Sequence, residues 1–272
     1  MFKDRVIAIT GAASGIGRAL AVHLGQRGAA LALSDIDEAG LSATAAELRE
    51  SGVRCHTRLV DVSKATEVSA WCDDVIEEFG QVDGIINNAG VSVIDGAEFV
   101  SHEDFEWLMG INFWGVIYGT QTFLPHLRKR QDAYIVNISS LFGLIGVPTQ
   151  AAYNASKFAV RGYTEALRQE LHGSTVHVAC VHPGGIRTNI TRNARHHLRE
   201  GLTFPKERLV HVFEKHLAKV TPEEAAEIII EGLVAKRKRI LIGKDARLFD
   251  FVARVFPTGY DALVRHFNRP PK

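Results

Sequence analysis

A tyrosine and a lysine stand four positions apart at Tyr153 and Lys157, within the stretch YNASK. If this stretch is helical, the two side chains lie on one face, one turn apart. A phenol has a pKa of about 10, and an adjacent ammonium group lowers that pKa. Lowering it to about 7 takes roughly 4 kcal/mol and would make Tyr153 a working general acid or base. The pair alone also fits an ordinary helix with a packed tyrosine and a solvated lysine.

A glycine-rich segment at residues 10–17 (TGAASGIG) joins a short apolar run to a helical pattern. Glycines there allow a tight turn and let the backbone approach a pyrophosphate at the N-terminus of a helix. The segment is not a P-loop, because no Gly-Lys-Ser/Thr follows. A turn needed only for packing is the alternative. The residues that the nucleotide interpretation assigns to a cofactor are Gly11, Ser14, Gly15, Ile16 and Gly17.

Asp35 follows the second apolar run of the chain. A carboxylate at this place accepts both hydroxyls of an adenosine ribose and repels a 2′-phosphate. No Arg or Lys stands at positions 12, 13 or 36, where a 2′-phosphate would need one, and Arg18 fits a solvated helix position equally well. The charges therefore favour NAD over NADP.

Two further segments follow the third and fourth apolar runs. Asp61 and Val62 are placed to meet the adenine edge of a nucleotide. Asn88, Ala89 and Gly90 put small residues where a cofactor could lie against the backbone. In isolation each segment also fits a simple turn, so the cofactor assignment of both segments depends on the fold around them.

Apolar runs alternate with helical patterns along the whole chain. Strands nearly devoid of polar residues, separated by helices, indicate a parallel sheet covered on both faces. The predicted fold is a single-domain, doubly wound α/β (Rossmann-type) structure with a seven-stranded parallel sheet and ligands at the carboxyl ends of its strands. The pattern predicts strands at 6–9, 30–33, 55–60, 82–86, 134–138, 176–181 and 239–242. It predicts helices at 15–28, 38–51, 66–79 (with Ser63 as N-cap), 105–129, 153–171 and 222–235.

Composition narrows the class of protein. The chain has 272 residues, of which 46% are hydrophobic and 23% charged, with a formal net charge of +1. These values suit a globular protein with a full core and give no reason to expect nucleic acid as a partner. Its three cysteines show no metal-binding spacing, which favours reduced thiols. The N-terminus leaves no room for a signal peptide, and no apolar run spans a bilayer, so we expect a cytoplasmic protein.

Taken in order, these motifs resemble the short-chain dehydrogenase/reductase family over roughly residues 5–190. The matching elements are TGxxxGIG at 10–17, NNAG at 87–90, Asn112, Ser140, Tyr153 with Lys157, and PGGIRT at 183–188. The serine of that family usually lies thirteen residues before its tyrosine, which selects Ser140 over Ser139. Ser139 is then a structural or substrate-loop hydroxyl.

The resemblance implies an NAD(P)-dependent alcohol dehydrogenase or ketone reductase that acts on CH-OH groups. Tyr153 would be the general base or acid, and Lys157 would lower its pKa and hold the nicotinamide ribose. Ser140 would bind the substrate oxygen, and Asn112 would interrupt its helix and hold a proton-relaying water. Further implied cofactor contacts are Pro183, Gly184, Ile186 and Thr188, and the implied substrate contacts are Ser140, Phe142 and Tyr153.

Residues 189–220 match a substrate-lid insertion within a catalytic domain that we place at 1–245. Their basic character would suit an anionic or acyl-carrier substrate, whereas leucines between the charges favour an ordinary amphipathic helix with a solvated face. No carboxylate stands near His196 and His197 in a metal-like spacing, so we expect no metal site. The basic residues are Arg192, Arg195, His196, His197, Arg199, Lys206, Arg208, His211, Lys215 and His216.

The tail at 246–272 is strongly apolar, from Leu248 to Phe256, and Pro257 and Gly259 interrupt its helical pattern. It could pack against a partner subunit, close an apolar pocket or lie at a membrane surface. Because members of the family are commonly dimers or tetramers, the first two roles are favoured together.

The substrate is expected to be a secondary alcohol or ketone on a hydrophobic body. Two other functions compete with an oxidoreductase. A catalytically silent NAD(P)-binding sensor or scaffold would be expected to lack Tyr153, Lys157 or Ser140, and a lyase or epimerase would usually carry a larger substrate domain. The residues expected to line the pocket are Val91, Val93, Phe142, Leu144 and Ile145.

Overall fold

The structure is a computed structural model that describes residues 2–197, 210–211, 215 and 217–267. Its strands are β1 (Val6–Thr10), β2 (Ala30–Asp35), β3 (Cys55–Leu59), β4 (Gly84–Asn87), β5 (Val93–Ile94), β6 (Ala133–Ile138), β7 (Val176–Pro183), β8 (Arg195–His196) and β9 (Arg239–Ile242). Its helices are α1 (Gly15–Gly25), α2 (Glu38–Glu50), α3 (Ala65–Phe79), α4 (His102–Met109), α5 (Gly115–Leu127), α6 (Ala151–Glu170), α7 (Pro222–Val234), α8 (Lys244–Val255) and α9 (Tyr260–Phe267). A π-helical turn, Gly110–Trp114, joins α4 to α5, and a 3₁₀ turn, Leu141–Gly143, follows β6.

Seven parallel strands form the central sheet in the order β3-β2-β1-β4-β6-β7-β9, which confirms the predicted fold. The chain winds outward in one direction from β1 and in the other from β4. The carboxyl ends of β1 and β4 therefore border a crevice at the point where the strand order reverses. The short strands β5 and β8 pair with each other outside this sheet.

Alternate residues of β1 show how both faces of the sheet are covered. Ile7 and Ile9 belong to a buried cluster that includes side chains of α1, α2 and α7. Val6 and Ala8 belong to a second cluster, on the other face, with side chains of α3, α5 and α6. Because successive side chains of a strand point to opposite faces, a nearly all-apolar strand needs helices on both sides.

A buried amide network fixes α6 on the sheet. Asn87 on β4 donates through Nδ2 to Asn137 Oδ1 on β6, at 2.8 Å. Asn137 in turn donates through Nδ2 to Thr164 Oγ1 on α6, at 3.0 Å. Buried polar groups of this kind are stable only when paired, so the network sets the position of the helix that carries Tyr153.

Two predictions about helices are wrong. The single helix predicted at 105–129 is α4, the π turn and α5, because the hydrogen bonding shifts by one residue between Gly110 and Trp114. Ser63 does not cap α3, which begins after Lys64, because its hydroxyl donates to Asp61 instead.

The tail forms two helices, α8 and α9, separated at the predicted interruption. Phe249 and Val264 of the tail pack with Leu141, Leu144 and Ile145 in one apolar cluster. This contact favours a role in closing the substrate side of the molecule. The division at residue 245 and the lid at 189–220 stay predictions. Much of the predicted lid lies outside the described residues, because 198–209, 212–214 and 216 are not described, and neither are 268–272 at the end of the tail. The basic residues in these ranges are Arg199, Lys206, Arg208 and His216. In the described part of the chain, no helix has the length and apolarity needed to cross a bilayer.

Candidate active site

The glycine turn between β1 and α1 leaves helix amides open. Gly11 and Gly15 have φ angles of +68° and +54°, in the left-handed region that favours glycine. A Cβ atom at Gly17 would lie 2.0 Å from the carbonyl oxygen of Gly11, so no side chain fits there. Ser14 precedes α1 without capping it, and the first turn holds no acidic residue. Uncapped amides at a helix N-terminus bind anions, so this turn suits the pyrophosphate of a dinucleotide.

Thr10 and Asn88 hold the glycine turn against the end of β4. The Thr10 hydroxyl accepts hydrogen bonds from the backbone amides of Asn88 and Ala89, each at 3.0 Å. Asn88 Nδ2 donates to the carbonyl oxygens of Thr10 at 2.9 Å and Gly11 at 3.1 Å. Asn88 therefore shapes the predicted cofactor cradle through the backbone. Thr10 directly precedes the glycines, and no sequence pattern indicates this role for it.

Asp35 lies beside the glycine turn, as its place at the end of β2 predicts. Its Oδ2 accepts from the Ala13 amide at 2.9 Å, and its Oδ1 accepts from the amides of Ile36 and Asp37 at 2.8 and 3.1 Å. A carboxylate has about four acceptor positions, so Oδ2 keeps one for a ligand hydroxyl. Arg18, the cation considered for a 2′-phosphate, donates instead to Glu47 at 2.5 Å.

Asp61 and Val62 border the same crevice. Asp61 Oδ1 accepts from the amide of Ser63 at 3.0 Å and from its hydroxyl at 2.6 Å. Val62 is buried, and a Cβ atom at Gly115 would lie 2.8 Å from its Cγ2. Val62 thus packs against the start of α5 and forms an apolar wall of the crevice.

The segment after β7 closes the crevice from the other side. Pro183 ends β7, Gly184 donates through its amide to Ile242 O at 2.9 Å, and Ile186 is buried. Thr188 lies opposite the glycine turn, because a Cβ atom at Gly15 would be 3.1 Å from its Cγ2. The structure thus brings these predicted cofactor residues together. It adds Asp245, whose Oδ2 accepts from the Gly185 amide at 2.8 Å and which no motif in the sequence indicated.

Tyr153 and Lys157 lie in α6, one turn apart and both buried, with 9% and 3% of their surfaces exposed. Lys157 Nζ is 5.6 Å from the centre of the Tyr153 ring and donates to Ile138 O at 3.0 Å. A Cβ atom at Gly90 would lie 3.4 Å from Nζ and 3.2 Å from Asn112 Oδ1, so the Gly90 backbone lies directly beside the ammonium group.

The predicted lowering of the tyrosine pKa by Lys157 is wrong for the chain's own groups. Burial raises the pKa of the Tyr153 phenol to about 12, and a hydrogen bond with Ser140 opposes that rise. Burial also lowers the pKa of Lys157 to about 8. Burial removes the charged form of each group from water. This cost exceeds the stabilisation that one nearby ammonium group gives to a phenolate, so the pKa of each group moves in favour of its neutral form.

The structure separates the roles of the two neighbouring serines. Ser139 Oγ donates to Lys157 O at 2.8 Å and is buried between α6 and the sheet, so it is a structural hydroxyl. Ser140 Oγ accepts from the Phe142 amide at 3.1 Å, which leaves its proton free to donate. Behind it, the buried ring of His182 is 3.1 Å from Ser140 O through Nδ1. Burial lowers the pKa of His182 to about 4, so this ring is neutral at physiological pH.

Asn112 lies inside the π turn, so the helix is interrupted at the residue where the resemblance implied it. Its Oδ1 accepts from the Val91 amide at 2.8 Å, and its Nδ2 donates to Val91 O at 3.0 Å and to Ser156 Oγ at 3.1 Å. Both ends of the side chain are therefore used in anchoring the turn to α6 and to the segment after β4. Single π turns of this kind occur frequently at functional sites.

An apolar cluster surrounds the phenol. Val93, Leu108 and Ala152 are buried with Tyr153, and Val91 and Phe142 pack against them. The Phe142 ring meets the Tyr153 ring edge-on, with 5.9 Å between the ring centres.

Leu144 and Ile145, also expected to line the pocket, are buried in a cluster with Phe249 and Val264 of the tail helices. Phe142 packs against both this cluster and the one around Tyr153, so the two clusters adjoin, and the pocket-lining role of Leu144 and Ile145 stays a prediction. Asp104, which binds Arg195 and His197, is a further polar residue near the site that no motif in the sequence indicated. The only signal for it was the Ser-x-x-Asp pattern at the start of α4, which indicates a helix start and not a buried carboxylate.

Known proteins resemble this chain closely. The family model described as short chain dehydrogenase matches residues 5–199. The protein named "Putative oxidoreductase SadH" from Mycobacterium tuberculosis is 43% identical over 265 residues, covering 97% of this chain and 95% of the relative. Cyclopentanol dehydrogenase from Comamonas sp. is 35% identical over 190 residues, covering 70% of this chain and 76% of the relative. A solved short chain dehydrogenase/reductase from Burkholderia phymatum, in complex with NAD, has a TM-score of 0.82 and 30% identity, covering 100% of this chain and 97% of that chain.

Replacing Lys157 with Met should stabilise the protein by about 2 kcal/mol near pH 7. Holding the pKa of the amine at about 8 rather than 10.5 costs the folded protein roughly 3.4 kcal/mol, which the substitution removes. The substitution also removes the hydrogen bond to Ile138 O, and this loss offsets about 1 kcal/mol of the gain. The penalty is complete below the folded pKa and disappears as the pH rises to the unfolded value. Urea unfolding at about pH 7 and about pH 10.5 measures it.

Lys129→Met is the matched control, because Lys129 is exposed in the turn after α5 and its loss should leave stability unchanged at both pH values. A Lys157→Met variant that is no more stable than wild type near pH 7, or whose gain does not shrink at high pH, would contradict the buried-cation assignment.

Proposed function

The chain belongs to the short-chain dehydrogenase family, and on that basis we propose that it is an NAD-dependent oxidoreductase that interconverts a secondary alcohol and a ketone on a hydrophobic substrate. The observation that carries this proposal is the buried pair Tyr153 and Lys157, with Ser140 close enough to the phenol to oppose the rise in its pKa. This set lies at the carboxyl ends of β4 and β6, next to the crevice bordered by the glycine turn. Ligands of doubly wound sheets bind at such a place.

Ser140 and Tyr153 act on the substrate oxygen. Ser140 uses an acceptor position for the Phe142 amide, so its hydroxyl donates to the oxygen of the alcohol or ketone. Such a donor stabilises negative charge as it develops on that oxygen. Tyr153 takes the hydroxyl proton during oxidation and returns a proton during reduction. The apolar cluster around Tyr153 excludes water from this exchange.

The residues present fit a nicotinamide dinucleotide. The uncapped N-terminus of α1 would hold the pyrophosphate, Asp35 the adenosine ribose, and Thr188 with the Ile186 backbone the carboxamide. When bound, the cofactor would supply or accept the hydride, and the positive charge of its oxidised form would lower the pKa of Tyr153, which the chain's own groups leave high. Lys157 would hold the nicotinamide ribose, and the π turn at Asn112 would provide the place for a proton-relaying water.

NAD is the preferred cofactor. The Asp35 carboxylate keeps one open acceptor position, which suits a ribose hydroxyl and repels a phosphate. Arg18, which could otherwise answer a 2′-phosphate, is engaged by Glu47.

A neutral hydrophobic substrate suits the pocket. The side chains around Tyr153 are aliphatic and aromatic. Arg195 and His197, two of the basic residues considered for an anionic substrate, bind Asp104 instead. The relative named for cyclopentanol, a secondary alcohol on an apolar ring, supports the same substrate class.

Tyr153→Phe should reduce turnover by about 10²- to 10⁴-fold, because it removes the proton carrier and keeps the ring. Oxidation of cyclopentanol, cyclohexanol and 1-phenylethanol with NAD, followed by absorbance of the reduced cofactor, measures the loss. NAD affinity, measured by calorimetry, should stay nearly the same. Tyr163→Phe, on the same helix, is the control and should retain activity. Wild-type turnover by Tyr153→Phe would refute the assignment, and NAD binding without turnover of any alcohol or ketone would refute the proposed function.

Asp35→Asn should shift the ratio of kcat/KM with NADP to that with NAD by about tenfold toward NADP, because a repulsive charge of ~1.4 kcal/mol is removed. Asn keeps the Oδ1 acceptor for the amides of Ile36 and Asp37 and gives up only the Oδ2 bond to the Ala13 amide, so most of the turn's hydrogen bonds are preserved. Asp37→Asn is the matched control, since Asn also caps α2 well and the residue should not affect cofactor choice. An unchanged ratio in Asp35→Asn would contradict the NAD assignment.

We also propose that the chain assembles as a homodimer or homotetramer. Trp114 and Phe158, on the π turn and α6, are 48% and 40% exposed, although large aromatic side chains are usually buried. Light scattering should give a mass of two or four times 29.9 kDa. Trp114→Glu should lower that mass, whereas Ile36→Glu, at another exposed apolar position, should not. A monomeric wild-type protein would contradict this proposal.

A further inference from the structure

A buried carboxylate outside the catalytic set binds two basic residues. Asp104, in the first turn of α4, is only 5% exposed. Its Oδ1 accepts from Arg195 Nη1 at 2.7 Å, and its Oδ2 is 2.6 Å from His197 Nε2. Ser101 Oγ donates to Oδ2 at 3.1 Å and accepts from the Asp104 amide at 3.1 Å. The carboxylate is thus held at both oxygens, which is how a buried charge is made tolerable.

Arg195 is fixed on a second side by an aromatic ring. Its guanidinium carbon lies 3.6 Å from the centre of the Trp107 ring, also on α4. Such a contact is favourable and orients the planar guanidinium group. Asp104 and Trp107, separated by one turn of the same helix, therefore grip one arginine.

The contacts of Arg195 with Asp104 and Trp107 help to position β8, a strand too short to be stable through its own hydrogen bonds. β8 contains only Arg195 and His196, which pair with Val93 and Ile94 of β5. The Arg195 amide donates to Ser92 O at 3.0 Å. A pair of two-residue strands contributes few hydrogen bonds, so its position depends on side-chain contacts.

The strand that β8 covers reaches the catalytic phenol. Val93 of β5 is buried in the same cluster as Tyr153, and Trp107 packs against that cluster from α4. Ile190, a few residues before β8, packs there as well. The segment 190–197 therefore contributes Ile190 to the apolar wall around Tyr153, and Asp104 ties the other end of this segment to α4 through Arg195 and His197.

We propose that Asp104 is a positioning residue for substrate binding, which fixes β8 against β5 and thereby sets the apolar wall of the pocket. The inference rests on the proposed function, because it assigns the wall to the alcohol or ketone substrate. Asp104 touches neither the phenol nor the cofactor crevice, so it acts through Arg195, His197 and Trp107. By compensating the charge of Arg195, it also keeps this side of the pocket neutral.

The kinetic test uses Asp104→Ala, with cyclopentanol and NAD as the probes. KM for cyclopentanol should rise at least about tenfold, the effect of losing a charge-assisted contact, while kcat and KM for NAD stay within about twofold. Arg195→Gln should give the same split, and the double variant should add little, because both residues act through one contact. Glu103→Ala is the matched control: it removes an exposed carboxylate from the same turn of α4 and should change neither constant.

Hydrogen exchange supplies a readout independent of turnover. In Asp104→Ala and Arg195→Gln, peptides covering 190–197 should exchange at least about tenfold faster than in wild type, with α6 unchanged. Unchanged exchange would show that Asp104 does not hold this segment, and faster exchange with unchanged KM would show that the wall does not serve the substrate. Either result overturns the proposal. If the wild-type protein oxidises no alcohol, the proposed function fails, and the exchange rates alone decide whether Asp104 holds the segment.

Discussion

The structure depends on placing the Lys157 ammonium inside the protein beside a buried phenol. A cation removed from water is costly, and Lys157 Nζ is compensated by a hydrogen bond to the backbone carbonyl Ile138 O at 3.0 Å and by the nearby Tyr153 ring. Burial therefore lowers the pKa of Lys157 to about 8 and raises that of Tyr153 to about 12. A further positive charge beside the pair would lower the raised pKa of Tyr153 and allow the phenol to exchange protons nearer to neutral pH. The buried Lys157 therefore lowers the free energy of unfolding, in exchange for a reactive site.

The rest of the fold holds that pair in position. The amide network from Asn87 through Asn137 to Thr164 fixes α6 on the sheet, and Ser139 ties its backbone at Lys157. The π turn brings Asn112 to the segment after β4, where the Gly90 backbone lies beside the ammonium group. Parallel strands end at the same edge, so the glycine turn, Asp35 and Thr188 face the phenol's side of the sheet. These elements thus position either the charged pair or the anion-binding amides of the glycine turn at the carboxyl edge of the sheet.

Much of this could be predicted from the sequence, because it depends on local pattern. All-apolar strands between helices determine a doubly wound sheet, and the four-residue spacing of Tyr153 and Lys157 in a helix determines that they share a face. The direction of the tyrosine pKa shift could not be predicted, because desolvation depends on burial in three dimensions. The π turn, the position of Leu144 and Ile145 against the tail, and the pairing of Asp104 with Arg195 likewise arise from contacts between distant segments.

The most direct test is the ionisation of Tyr153 itself. Tyrosine labelled with ¹³C at the Cζ position gives one resonance for each of the five tyrosines, and Tyr153→Phe identifies the one that matters. In the protein alone, that resonance should remain in its protonated position at about pH 11, as a pKa of about 12 requires. Addition of NAD should move the transition to lower pH, because a positive ring beside the phenol favours the phenolate. A Tyr153 pKa of 10 or below without cofactor would contradict the account.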